Sequence, residues 1–269
     1  HRTLALPRAG WESPASPLGY PGTVRSRCSI EGVTLQGEPI LRVESVSKSF
    51  PGVKALDNVN FNIHAGEVVA LVGENGAGKS TLMKILSGAY TKDSGAIYLD
   101  GKSVEFTSPS HAQEMGIATI YQEFNLTPTQ TVAANIFISR EPRRPGLLGK
   151  LQFIDRVRME HEAQTLLDLV GSHVQPDAII RDLSVAERQM VEIAKALAVD
   201  ARIIIMDEPT SALGDDEVEV LFRIVRELKA QGRGIIFITH RMEEIFQICD
   251  RVVVFRDGQY VGELPMAEE

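Results

Sequence analysis

The run Gly73-Glu74-Asn75-Gly76-Ala77-Gly78-Lys79-Ser80-Thr81 fits G-x-x-x-x-G-K-[ST] and follows directly on the apolar stretch Val68-Val69-Ala70-Leu71-Val72. That order leaves few folds open. A buried strand must end, glycines must let the backbone curl so that successive N–H groups point inward, and a helix must start with its positive end facing the same space. Such a space suits a triphosphate. Lys79 would reach the β and γ phosphates as a point charge, the Ser80 hydroxyl would sit on Mg²⁺, and Thr81 would add a further phosphate contact. Leu82-Met83-Lys84-Ile85-Leu86 continues as the helix that the motif requires, so a plain glycine-rich turn is the weaker reading.

Around this loop the chain reads as an α/β protein. From Pro39, Leu41 and Val43 and then Val59, Phe61 and Ile63 alternate as half-buried strands, and the solid apolar strand 68 to 72 suggests that a mixed sheet is forming. Ser108-Pro109 opens a short helix that Gly116 closes, and a strand follows over 117 to 121. Between Thr131 and Asp182 the pattern is mainly helical, with Val157, His161, Leu166, Leu167 and Val170 on one face and a loop from Pro142 to Gly149. A helical lobe inserted at about 131–200 is the expectation. The runs Arg202 to Met206 and Gly234 to Ile238 suit parallel strands buried on both faces, and Asp257-Gly258 turns a closing hairpin. No internal repeat or heptad is visible.

Composition narrows the partners. In 269 residues, 43% hydrophobic and 24% charged, there is enough apolar material for a sizeable core. A net charge of −8 with no local Lys/Arg cluster argues against nucleic acid. No apolar run approaches the roughly 20 residues of a membrane span, and no secretory signal is recognisable, so a cytoplasmic protein is expected. Cys28 and Cys249 are too few for a disulfide framework or a four-cysteine zinc site; Cys249 reads as a small core residue. Residues 1–38 alternate prolines with glycines and read as disordered, a leader or a mis-set start beginning at His1.

The strand ending at Met206 runs into Asp207-Glu208. Downstream of a phosphate loop in a parallel sheet, that is where a metal-holding aspartate belongs, and Glu208 can then reach an attacking water. Together these residues make the chain resemble the ATP-binding-cassette (ABC) ATPases over roughly residues 39–269, most closely the first ATPase half of tandem proteins that energise bacterial monosaccharide import. The resemblance implies a P-loop NTPase of the ABC type, a mixed and parallel sheet core with an antiparallel β part and the inserted helical subdomain. It also implies roles for single residues. Phe50 resembles the aromatic that stacks on adenine, and Gln122 the glutamine that touches Mg²⁺ and senses the γ-phosphate. Leu183-Ser184-Val185-Ala186-Glu187 resembles the signature motif, which covers nucleotide held by a second domain, and His240 resembles the switch histidine.

Membership of such a family would mean an ATPase using ATP and Mg²⁺, with Lys79, Gln122, Glu208 and His240 as its catalytic groups. Ser80, Gln122 and Asp207 would hold the metal. The implied partners are a second ATPase domain docked head to tail, transmembrane permease subunits and, through them, a sugar-binding protein. The domain would sit at the inner face of the cell membrane, and a chain stopping near Glu269 would be one half of the tandem, weakly active alone. Two departures stand out. The signature carries Val185-Ala186-Glu187 where relatives carry Gly-Gly-Gln, which adds Cβ atoms at a close approach, and Gly214 replaces an Asp or Thr that usually bonds across the domains. Competing readings fare worse. The first is a cassette ATPase of DNA repair, chromosome maintenance or translation, whose repair members would carry a zinc insert or a long coiled coil between phosphate loop and signature; from Ser80 to Ser184 no cysteine occurs. A non-hydrolysing regulatory half is at odds with Asp207, Glu208 and His240, and a GTPase with the lack of an Asn-Lys-x-Asp motif.

Overall fold

The computed structural model describes residues 37–122, 124–146 and 152–266, so nearly all of the expected leader lies outside the described residues. The alternating apolar residues form two long strands, β1 (Leu41–Phe50) and β2 (Val53–Ile63), with Leu41, Val43, Val59, Phe61 and Ile63 all buried. They pair antiparallel with each other. Strand β1 also pairs with β4 (Ser94–Leu99), and β4 with β5 (Lys102–Val104). This sheet, in the order β2-β1-β4-β5, is separate from the one built on β3 (Val68–Val72). The antiparallel part that the resemblance implies is thus a sheet of its own, and the alternating strands do not join the strand at 68 to 72 as their sequence order suggests. An alternating strand has one apolar face to bury, whereas the unbroken run at 68 to 72 needs cover on both, and the two kinds part company.

The second sheet takes in β6 (Ile117–Ile120), β7 (Ile203–Asp207), β8 (Gly234–Ile238), β9 (Arg251–Arg256) and β10 (Gln259–Pro265) in the order β10-β9-β3-β8-β7-β6. All its pairings are parallel except β9 with β10, the hairpin turned by Asp257 and Gly258, both at positive φ. Alternate residues of each strand enter different cores. Val68, Ala70, Ile204, Met206, Ile235 and Phe237 face one, while Val69, Leu71, Ile203, Ile205, Ile236 and Ile238 face the other.

The first core is closed by helices α3 (Val132–Ile136), α4 (Arg156–Leu169), α5 (Val185–Leu197), α6 (Asp215–Ala230) and α7 (Met242–Ile248). The second is closed by α1 (Lys79–Leu86), α2 (Pro109–Glu114) and the antiparallel sheet. Helix α2 begins as its sequence predicts, with the Ser108 side chain accepting from the His111 N–H and Pro109 in the first turn.

The lobe between Thr131 and Asp182 is less helical than its pattern suggests: α3 and α4 with a short 3₁₀ turn at Ile180–Asp182 are its regular pieces among the described residues. Its inward face also differs. Val157 is 76% exposed and His161 is exposed as well, while Met159, Ala163, Leu167 and Val170 are buried. The buried stripe starts two residues later, at Met159, because it is this face that packs into the first core; the Asp155 carboxylate accepts the Arg158 N–H and caps the first turn. Backbone bonds from Arg144 N–H to the Phe153 carbonyl and from Asp155 N–H to the Pro142 carbonyl join the segments 142–144 and 153–155 just before α4.

Candidate functional site

The ends of four neighbouring strands build the site. Strand β3 runs into the glycine-rich loop, β6 into Tyr121-Gln122, β7 into Asp207-Glu208 and β8 into Thr239-His240. In the chain these strands follow the order β3, β6, β7, β8, but in the sheet they lie as β3-β8-β7-β6. At about 4.8 Å per strand, residues scattered over the chain arrive within roughly 14 Å along one carboxyl edge. That edge is where open parallel sheets hold ligands.

The loop depends on glycine at two points. Gly73 has φ 153°, and a Cβ there would lie 2.2 Å from the Phe255 carbonyl oxygen; at Gly78, φ 100°, it would lie 2.7 Å from that of Ala55. Gly78 is also the N-cap of α1 and offers no side chain to its first turn. The first N–H groups of the helix therefore stay open to the cleft, in the arrangement that attracts phosphate. Lys79 lies back over the loop, its Nζ donating to the carbonyls of Gly73 at 2.7 Å and Glu74 at 3.1 Å.

Asp207 and Glu208 face the loop from β7. Burial pushes the Asp207 carboxyl above the usual range, the Glu208 charge adds to the rise, and Lys79 and Lys84 oppose it. Glu208 sits at φ 48°, a left-handed conformation costly for any residue with a Cβ. Its N–H donates to the Ile238 carbonyl at 2.9 Å, which ties it to β8. Both its carboxylate oxygens are engaged: Oε1 lies 3.2 Å from His240 Nδ1, and Oε2 accepts from Gln122 Nε2 at 3.2 Å.

The resulting cleft, of about 840 Å³, is lined by Asn75 to Thr81 together with Gln122, Asp207, Glu208 and His240. Its donor set fits a hard divalent cation. A desolvated carboxylate at Asp207, the Ser80 hydroxyl and the Gln122 amide are oxygen ligands, and Asp207 is the group that burial leaves most in need of a positive partner. No group of three His, Cys, Asp or Glu side chains capable of holding a metal occurs among the described residues. Protein alone does not cage an ion here; phosphate oxygens would have to complete its shell, as is usual for Mg²⁺.

Phe50 stands at the rim, 37% exposed, edge-on to Tyr90 with ring centroids 5.4 Å apart and with Lys48 Nζ 5.6 Å from its ring. Sequence reasoning misses Tyr90: nothing in its local sequence distinguishes it, and only the fold sets it beside Phe50. Val53, Ala55 and Ile238 also line the cleft. Val53 could have been found from the β1–β2 register, since it pairs with Phe50. Gly73 and Glu74 back the loop instead of lining the cleft.

The signature residues Ser184, Val185, Ala186 and Glu187 do not line it either. They form the start of α5, where Ser184 Oγ accepts the Glu187 N–H and the Glu187 carboxylate accepts the Ser184 N–H, a complete capping box. Those bonds to Ser184 hold the Glu187 carboxyl below its usual range. Gly214 begins α6 without a side-chain cap.

Comparison with known proteins bears on the family and the fold. The family model described as ABC transporter matches residues 56–211. A ribose import ATP-binding protein from Streptomyces coelicolor is 55% identical over 228 residues, 85% of this chain and 43% of that protein. A putative ribose/galactose/methyl galactoside import ATP-binding protein from Albidiferax ferrireducens is 52% identical over 226 residues, 84% of this chain and 44% of its own length. The chain thus spans less than half the length of these curated relatives. Among solved structures, a nucleotide-free ATP-binding cassette from an ABC transporter superposes with TM-score 0.74 at 28% identity, covering 86% of this chain and 92% of its own. A bacterial ABC transporter cassette solved as a dimer gives TM-score 0.73 at 25% identity, covering 85% and 100%.

Proposed function

The chain belongs to the ABC transporter family of ATP-binding domains, and from that membership we propose that it binds and hydrolyses MgATP to drive a membrane permease importing a monosaccharide of the ribose or galactose type. The observation that carries this reading is the meeting of the phosphate loop, Asp207, Glu208, Gln122 and His240 in one cleft. The sugar class rests on the names of the relatives.

In this reading the triphosphate lies along the loop N–H groups at the start of α1. Lys79 exchanges its bonds to the Gly73 and Glu74 carbonyls for the β and γ phosphates. Ser80, Gln122 and Asp207 would hold Mg²⁺, which would supply charge neutralisation at the phosphate oxygens. Glu208, fixed at both oxygens, orients the attacking water and takes its proton, while His240 Nδ1 steadies that carboxylate. Phe50 stacks on the base. Catalysis is then mostly positioning and charge stabilisation.

The signature residues at the start of α5 stand outside the cleft of their own domain, which supports a head-to-tail arrangement with a second ATPase domain whose nucleotide Ser184 to Glu187 would cover. Permease subunits and a sugar-binding protein complete the proposed assembly, with this domain at the inner membrane face. No helix among the described residues is long and apolar enough to cross a membrane.

Two measurements test the reading. Calorimetry should find magnesium-dependent ATP binding, retained in Glu208→Gln while turnover falls by about 10²–10⁴; no binding, or unchanged turnover, overturns it. Co-purification from the native cell should bring down permease subunits, and recovery of ribosomes or DNA-processing factors instead would refute the transport role.

A further inference from the structure

The segment that carries Gln122 away from the cleft is gripped by the signature helix. Asn125 donates its backbone N–H to Glu192 Oε1 at 2.6 Å, and its carbonyl accepts from Lys195 Nζ at 2.5 Å. Both backbone groups of one residue are thus held by two side chains of α5, which themselves stand 3.8 Å apart. Two residues on, Thr127 is held in the same fashion by the buried Asn135 amide of α3, which accepts its N–H at 2.6 Å and donates to its carbonyl at 3.2 Å.

This grip is costly. Glu192 is 3% exposed, amid the apolar residues Met190, Val191, Ile193 and Ala194. Burial raises its carboxyl above the usual range and lowers the Lys195 ammonium, and a leucine or methionine at 192 would suit the same core without that desolvation cost. What the charged pair supplies is a connection that cannot slip. Helix α5 is a continuous rod from its capping box to residue 197, and Glu192 lies about 12 Å along it from Ser184. One end of the connection is Gln122, bonded to Glu208 in the nucleotide cleft; the other is the N-terminus of α5, outside it.

We propose that Glu192 and Lys195 are positioning residues that transmit the state of the nucleotide cleft from Gln122 through the Asn125 backbone to the signature end of α5. They touch neither nucleotide nor metal, and their effect is on where Ser184 to Glu187 stand. The proposal rests on MgATP binding in the cleft described above and adds to it the path by which binding is felt at the signature.

The test is amide hydrogen exchange on this chain with and without MgATP, at a concentration where sedimentation shows single chains. In the wild type, MgATP should slow exchange at the phosphate loop, at 124–127 and at 185–188. Lys195→Met should bind MgATP and protect the loop as before, while losing the protection at 185–188 by about fivefold or more, the scale of one charge-assisted hydrogen bond. Lys195→Arg, which keeps a donor, should restore it to within about twofold, and Glu192→Met should behave as Lys195→Met does. Wild-type protection confined to the phosphate loop, a Lys195→Met chain still protected at 185–188, or a Lys195→Arg chain as defective as Lys195→Met would each overturn the inference. Should Glu192→Met fail to fold, the two Lys195 variants still decide. Absence of any MgATP effect in the wild type would instead sink the nucleotide reading itself.

Discussion

At the scale of single residues, the site keeps groups that stability alone would remove. Glu208 holds a left-handed backbone that costs about 1–2 kcal/mol for a side chain with a Cβ. Glu208→Gly and Glu208→Ala both lose the contacts to Gln122 and His240, but only glycine relieves the strain. After glycine's larger unfolded-state entropy is subtracted, Glu208→Gly should be the more stable of the two by about 0.5–1 kcal/mol in urea denaturation. Equal stabilities would refute that account.

Asp207 is a second case. Its folded carboxyl titrates above its unfolded value because burial and the Glu208 charge disfavour ionisation. The native state then keeps a proton to higher pH than the unfolded chain, so the penalty is present above the folded value and stability rises as pH falls through it. Asp207→Asn should therefore raise the nucleotide-free Tm at pH 7, with the gain shrinking towards pH 4. It should also abolish the magnesium-dependent part of nucleotide stabilisation. A variant less stable than wild type at pH 7 would contradict this.

Among the elements, the helices of the inserted lobe separate what local sequence governs from what packing governs. The α4 stripe is Met159, Ala163, Leu167 and Val170, with Val157 outside. Leu167→Ala should cost about 2–5 kcal/mol and Val157→Ala no more than about 0.5 kcal/mol, measured by chemical denaturation; similar costs would restore the face read from the sequence. At α5 the capping box satisfies N–H groups at a helix start that must remain ordered to present the signature. Ser184→Ala should cost about 1 kcal/mol of stability. Because the replaced serine is also a proposed phosphate contact, the loss of turnover in a paired assembly should exceed what that destabilisation accounts for.

For the whole molecule, the proposal makes one cleft insufficient: the phosphate loop of one domain needs the signature of another. Specific ATPase activity should climb with protein concentration until pairs form. A constant value across a range in which only single chains sediment would rule out that dependence.

Local rules in the chain were enough to specify the phosphate loop, the capped starts of α2 and α5, the alternating strands β1 and β2, the unbroken apolar runs of β3, β7 and β8, and the carboxylates at the end of β7. Each of these depends on residues within a few positions of one another, through turn chemistry, capping or apolar period. Other features depend on groups far apart in sequence. The separation of the two sheets, the insertion of β8 between β3 and β7, the pairing of Phe50 with Tyr90, the rotation of α4 and the hold of Glu192 and Lys195 on Asn125 are of this kind. They were decided by how two apolar faces of one sheet are covered and by which polar groups must find partners once buried, and no short window of sequence contains both sides of those contacts.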